Sequence, residues 1–307
     1  MKKSDRMLVV APERWDEACF AVPAVRALVG AGISVGVLCG RGQAGFWKCL
    51  DRVEIQTVED ESPSGSWDAV LAWEYGLWAK RMAAAGVLRR IAPEGERKLM
   101  KWATHPLVAR VNVLEHRVRH YLATVEEMGI ETRQAGYFAA AGLVVKQVAN
   151  SVMLCPDSDF GANHEWGMDR WVELGRRLED DGQAALSVAV GRGGRGLGER
   201  LAEHLGAGVR ACDVSDLAGS MMELAGHEKV VSADGSLPHV AGFAGATCVV
   251  LFGPNDPAWR RPLGRHHAIV HEHVECAPCL MAKCPLDLRC QERLAVERVA
   301  AVVAGGF

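Results

Sequence analysis

Short apolar runs alternate with helix-like segments along most of the chain, and this rhythm restricts the fold more than any other feature. MLVVA (7–11), SVGVLC (34–39), VEIQTV (53–58) and DAVLAWE (68–74) read as strands. Between the first two lies ACFAVPAVRALVGAG (18–32), a helix with a small-residue face and a glycine-rich stop. Strands joined through helices run parallel, and a parallel sheet is covered on both faces. Residues 104–129 carry a helical period that ends at Gly129. The rhythm restarts near residue 150. VMLC, ALSVAVG (185–191), KVVSAD (229–234) and CVVLFG (248–253) read as strands. WGMDRWVELGRRLEDDG (166–182) is an amphipathic helix with Trp171, Leu174 and Leu178 on one face. HVAGFAGA reads as a further helix, and ERLAVERVAAVVAG (292–305) as the closing one. The expectation is an α/β chain of two Rossmann-like domains, 1–150 and 151–307, whose parallel sheets face each other across a cleft.

A length of 307 residues suits two domains, and 49% apolar with 24% charged residues is a globular composition. A net charge of -3 supplies no basic field for nucleic acid. Arg117, Arg119 and His120 form a local basic cluster that reads as a solvated helix face. The apolar run at the start stops at Pro12-Glu13, too short for the core of a signal peptide. No apolar segment approaches the roughly 20 residues that span a bilayer. Cys19, Cys39, Cys49, Cys155, Cys212 and Cys248 sit in apolar or strand-like contexts and read as buried thiols of a reducing, cytoplasmic compartment.

Ligands of open parallel sheets sit beyond the carboxyl ends of the strands. Asp234-Gly235-Ser236 stands at such an end and opens the segment LPHVAGFAG, whose helix N-terminus offers free N–H groups to a phosphate. His239 lies one turn further on, within reach of the same anion, and GPNDP (253–257) walls the place. The plainer reading makes Asp234 a helix N-cap and GPNDP a turn. PDSDFGANHEW (156–166), with Ser158 and His164, is a second strand-to-helix entry of the same kind. The glycine-rich run GRGGRGLG (191–198) lacks the GK[ST] ending of a phosphate loop and reads as a solvated turn. Trp73, Trp78 and Trp102 read as core before they read as a sugar platform.

Four segments together resemble glycosyltransferase family 9, the lipopolysaccharide heptosyltransferases. ERWDEACFAVPAVRAL is similar to the family's first loop and helix. PDSDFGANHEW is similar to its Pro-Gly-Ala…Gly…Lys-Arg-Trp segment. VVSADGSLPHVAG…VVLFGPNDP is similar to its Asp-Ser/Thr-Gly-Leu-x-His and Gly-Pro-Thr-Asp-Pro signature, and CAPC…CP…C to a cysteine-bearing tail. The resemblance implies a GT-B fold, with an acceptor, usually a lipid-linked core sugar, on the first domain. It places the nucleotide-sugar, ADP-heptose foremost, on the second. It implies an inverting transfer that requires no metal or other cofactor. It places the catalytic carboxylate on Glu17, counted back from Pro23, with Asp16 beside it, and the donor on Ser158, His164, Asp234, Gly235, Ser236, Leu237 and His239. The family's phosphate-binding lysine falls on His164, and Asp-Ser/Thr-Gly has become Asp234-Gly235-Ser236.

Cys276, Cys279, Cys284 and Cys290 have spacing that suits a structural metal, zinc first; a compact loop of thiols is the alternative. The function expected is transfer of heptose or another sugar to lipopolysaccharide core or another cell-surface glycan, by a cytoplasmic protein in peripheral contact with the inner face of the inner membrane. The alternative is a degenerate relative that holds a nucleotide-sugar or a partner protein without turnover.

Overall fold

The structure is a computed structural model and describes residues 5–58, 66–84, 86–112, 114–180, 182, 185–192, 196–281 and 283–305. The chain divides into two compact units, Met1–Ala139 and Ala140–Phe307.

The first unit carries strands β1 (Arg6–Val10), β2 (Ser34–Cys39), β3 (Val53–Thr57), β4 (Ala69–Leu71), β5 (Arg90–Pro93) and β6 (His105–Leu107). Its helices are α1 (Trp15–Gly30), α2 (Ala44–Trp47), α3 (Leu77–Ala84), α4 (Arg97–Trp102) and α5 (Val118–Glu126). The sheet is parallel throughout, in the order β3-β2-β1-β4-β5-β6. The order reverses between β1 and β4, and a ligand crevice opens at the carboxyl ends of such a pair. Only part of 104–129 is the helix expected from its period. His105–Leu107 joins the sheet edge, and α5 covers Val118–Glu126. A run whose apolar residues fit both periods is decided by the open edge of β5 rather than by its own sequence.

Helix α1 is buried on almost every side. Asp16 and Glu17 in its first turn complement the positive end of the helix dipole. Pro23 lies inside the helix and lacks the N–H that would otherwise bond one turn back. Trp73 and Trp102 are buried, and Trp78 packs against the same core, so these aromatics are core residues.

The second unit carries β7 (Val148–Cys155), β8 (Ala185–Val190), β9 (Arg210–Asp213), β10 (His227–Ala233), β11 (Thr247–Phe252) and β12 (His267–His271). Its helices are α6 (Met168–Asp180), α7 (Leu197–Leu205), α8 (Leu217–Ala225), α9 (Leu237–Ala244), α10 (Pro257–Arg260), α11 (Arg289–Glu292) and α12 (Val296–Gly305). Its strands are again parallel, ordered β12-β11-β10-β7-β8-β9, with the reversal between β7 and β10. The inner strands are almost wholly buried. The apolar face of α6, with Trp171, Leu174 and Leu178, packs into a core shared with Val299 and Val303 of α12. No helix among the described residues is long and apolar enough to cross a membrane.

Candidate functional site

The reversal point of each sheet gathers polar side chains that the rest of the core excludes. In the first unit the loop after β1 and the loop after β4 are joined by the Glu13 N–H, which donates to Glu74 Oε1 at 3.0 Å. Glu17, in the first turn of α1, is 6% exposed. The Arg117 Nε–H is shared between its two oxygens at 3.1 and 3.0 Å, and the Tyr121 hydroxyl donates to Oε2 at 2.6 Å. Asp16 is fully buried and takes both arms of Arg14 at 3.1 Å. Burial pushes the Tyr121 hydroxyl well above its ordinary pKa, and the Glu17 charge adds to this, so the phenol is a neutral donor. Burial likewise raises Glu74, and repulsion from Glu17 and Glu13 adds to it against the Glu13 N–H. His120 is pushed down to about 4 by burial first and by Arg117 next. The basic cluster therefore divides. Arg117 turns inward onto Glu17, while Arg119 forms an ion pair with Glu126 at 2.8 Å. Helical spacing alone does not show this, because Glu17 lies a hundred residues earlier in the chain.

In the second unit the loops after β7 and β10 interlock. The Ser158 hydroxyl donates to the Asp234 carbonyl at 2.6 Å. The fully buried Asp234 carboxylate holds His164 Nδ1 at 2.9 Å and accepts from Asn255 Nδ2 at 2.6 Å, both on Oδ2. Its Oδ1 is buried with no hydrogen-bond partner. Burial raises the Asp234 pKa, and the His164 and Asn255 contacts oppose that. Asn255 belongs to GPNDP, so this turn lies against the Asp234 carboxylate.

Asp234 is not the cap of α9. That place belongs to Ser236, whose N–H and hydroxyl donate to the Asp159 carboxylate at 2.8 and 2.6 Å. Leu237 and His239 are buried in α9 itself. Arg192 pairs with Asp159 at 2.8 Å, so the start of the glycine-rich run belongs to the site; residues 193–195 of that run lie outside the described residues. Asp157 does for α7 what Asp159 does for α9, accepting from the N–H groups of Leu197 and Gly198 at 3.0 and 2.7 Å. Gly198 is required there, because a Cβ would collide with the Ala189 carbonyl. In the sequence both aspartates fall in the strand-to-helix entry PDSDFGANHEW; which helix each caps depends on the strand order.

The structure gives no support for the expected zinc at the cysteine cluster. Among the described residues no group of three or more His, Cys, Asp or Glu side chains comes together to hold a metal ion. Cys276, Cys279 and Cys284 are half-buried, Cys290 is buried in α11, and all four are free thiols. Backbone bonds anchor the loop instead. The N–H groups of Cys279 and Leu280 both donate to the Pro254 carbonyl at 3.0 Å, and Asn163 Nδ2 donates to the Met281 carbonyl at 3.0 Å.

Two such parallel units define the GT-B class, and the comparisons with known proteins agree. The model of "Glycosyltransferase family 9 (heptosyltransferase)" matches residues 80–289, more than half of the chain, and the chain belongs to that family. A Lipopolysaccharide heptosyltransferase 1 of Pseudomonas aeruginosa is 33% identical over 122 residues. That match covers 39% of this chain and only about a third, 33%, of the relative's length. The Escherichia coli ADP-heptose lps heptosyltransferase II superposes with a TM-score of 0.76 at 16% identity, over 98% of both chains. The E. coli heptosyltransferase WaaC, solved with ADP and with ADP-2-deoxy-2-fluoro heptose, gives TM-scores of 0.71 and 0.69 at 17% and 16% identity, over 98% of this chain and 99% of that one.

Proposed function

We propose that this chain is an inverting, metal-independent glycosyltransferase. It moves heptose, or a related sugar, from ADP-heptose or a related nucleotide-sugar to lipopolysaccharide core or another cell-surface glycan. Family membership supports the reaction class, and the ADP and ADP-sugar complexes of the E. coli relative support the donor. The observation that carries the reading is Glu17, a nearly buried carboxylate held by Arg117 and Tyr121 at the reversal point of the first sheet.

In this reading Glu17 accepts the proton of the acceptor hydroxyl as its oxygen attacks the anomeric carbon. The bond from that carbon to the phosphate oxygen breaks, and the nucleoside diphosphate leaves with the electron pair. Asp16 is fully buried beside Arg14, whereas Glu17 keeps a small exposed edge, so Asp16 is assigned the holding of the loop and Glu17 the base. Ser158, His164, Asp234, Gly235, Ser236, Leu237 and His239 form the donor seat, where the α9 N–H groups stabilise the leaving phosphates. A lipid-linked acceptor would bring the protein to the cytoplasmic face of a membrane by peripheral contact.

The second reading, a binding module without turnover, draws on His164 in place of a lysine and on Asp159 at the start of α9. Calorimetry with ADP, UDP, GDP and CDP tests the donor seat. Selective ADP binding that is lost in Asp234→Ala is the expected result. A folded protein that binds none of the four nucleotides overturns the proposal.

A further inference from the structure

The start of α9 is already occupied by an anion that belongs to the chain. Asp159 Oδ1 takes the Ser236 N–H at 2.8 Å, and Oδ2 takes the Ser236 hydroxyl at 2.6 Å and Arg192 Nη2 at 2.8 Å. The neighbouring sequence is fitted to this occupant. A Cβ on Gly235 would stand 3.1 Å from Asp159 Oδ1 and 3.4 Å from Ser158 Oγ, tighter than or at the edge of ordinary contact. A serine or threonine at 235 would therefore crowd the carboxylate, and a glycine at 236 would lose its hydroxyl donor. The departure Asp234-Gly235-Ser236 from the pattern Asp-Ser/Thr-Gly is thus the arrangement that seats Asp159. Two residues before Ser236, the buried Asp234 Oδ1 has no hydrogen-bond partner, and as an acceptor it calls for a donor such as a ligand hydroxyl rather than for a phosphate. The Asp159 side chain is 26% exposed, whereas Asp157 and Ser158 beside it are buried, so part of the carboxylate already meets solvent.

From this geometry we infer that Asp159 is a resident competitor for the phosphate seat at α9. A ligand's diphosphate and the Asp159 carboxylate are alternative occupants, and Arg192 passes from one to the other. The inference rests on the donor-seat reading above and adds to it a built-in threshold on donor binding. The state of the carboxylate agrees with this. Burial alone would raise its pKa, but the Ser236 donors and Arg192 outweigh burial and hold it below the ordinary range, so it stays charged throughout the neutral pH region.

The test measures binding of inorganic diphosphate and, separately, of ADP to the wild-type protein, Asp159→Asn, Asp159→Ala, and the double variant Gly235→Ser with Ser236→Gly. Melting temperatures are taken with and without diphosphate. The expected result is at least tenfold tighter diphosphate binding in both Asp159 variants and in the double variant. Each variant should melt lower than wild type without anion and regain that loss with it. A residue that only caps α9 would give the lower melting temperature and no gain in anion affinity, and that result overturns the inference, as does diphosphate binding to none of the proteins. ADP separates the two claims. If ADP binds wild type but Asp159→Asn brings no gain, the competitor is refuted and the donor seat stands. If diphosphate binding rises in the variants but no nucleotide binds any of them, the competitor stands and the donor reading falls.

Discussion

Removing Arg117 and removing Glu17 should not cost the same, although the two side chains form one ion pair. The Arg117 Nε–H is a single donor shared between Glu17 Oε1 and Oε2 at 3.1 and 3.0 Å, so the contact counts as one charged hydrogen bond rather than a two-pronged fork. Such a bond contributes about 1.5–3 kcal/mol. The Glu17 side chain is 8% exposed and that of Arg117 is 29% exposed. Arg117→Met therefore leaves a buried carboxylate that keeps the Tyr121 hydroxyl but has lost the guanidinium charge. The usual cost of about 3–5 kcal/mol for orphaning a buried charge falls, with solvent screening at the arginine, to about 2–3 kcal/mol. Glu17→Gln leaves a guanidinium that water can reach, keeps an acceptor oxygen, and should cost about 1 kcal/mol. The double variant should recover about 1–2 kcal/mol relative to the sum of the singles. Urea unfolding of the four proteins, followed by tryptophan fluorescence, measures the cycle. Additivity within about 0.5 kcal/mol, or a larger loss from Glu17→Gln than from Arg117→Met, would show that the two side chains are not coupled in this way.

Three further outcomes follow from the same contacts. Asp157→Ala strips two N–H groups at the start of α7 of their acceptor and should cost about 2–3 kcal/mol. Calorimetric melting should show this as a drop of about 5–10 °C, with Asp157→Asn near half of it. Burial raises the folded-state pKa of Glu74, so whatever it contributes is complete below the unfolded value near ~4.3 and fades as pH rises through the raised folded value. Glu74→Gln should then gain stability over wild type on going from pH 4 to pH 7; a gain that shrinks over that range contradicts the assignment. Glu126 runs the other way. The Arg119 guanidinium first, and the Thr132 hydroxyl, hold its pKa at about 2 against burial. Its contribution is present above the unfolded value and lost as pH falls toward 2. Unfolding of Glu126→Gln should show a loss of about 1 kcal/mol at pH 7, after solvent screening, and none near pH 2.

Much of the architecture is legible along the chain, because a parallel sheet is written in continuous apolar runs between helices. β1, β2, β7, β10 and β11 are such runs. β5, β6, β9 and β12 are edge or near-edge strands of three to five residues, and at that length a strand has too few positions to establish a period. The segment 104–129 shows the consequence, since its first part is drawn into the sheet by β5. The site divides similarly. Residues next to a strand end in sequence, such as Ser158, Asp234 and Ser236, are marked by the small and polar types a strand-to-helix turn needs. Arg117, Tyr121 and Arg192 are marked by nothing local. Arg117 looks like any surface arginine until α5 is laid against α1, and Arg192 looks like a solvated turn until β8 is placed beside β7. The cysteines go the other way: their spacing along the chain is metal-like, yet among the described residues no group of three or more ligands comes together to hold a metal ion.

The most direct test of the account compares turnover and donor binding in Glu17→Gln. Release of nucleoside diphosphate from ADP-heptose is followed with a lipopolysaccharide-core acceptor, and the donor dissociation constant is measured on the same protein. In Glu17→Gln kcat should fall by at least about 10²-fold, as loss of a positioned general base requires, while the donor dissociation constant stays within about threefold, a change worth less than 1 kcal/mol. Full turnover in Glu17→Gln, or no turnover in a wild-type protein that binds the donor, would contradict the assignment of Glu17 as base.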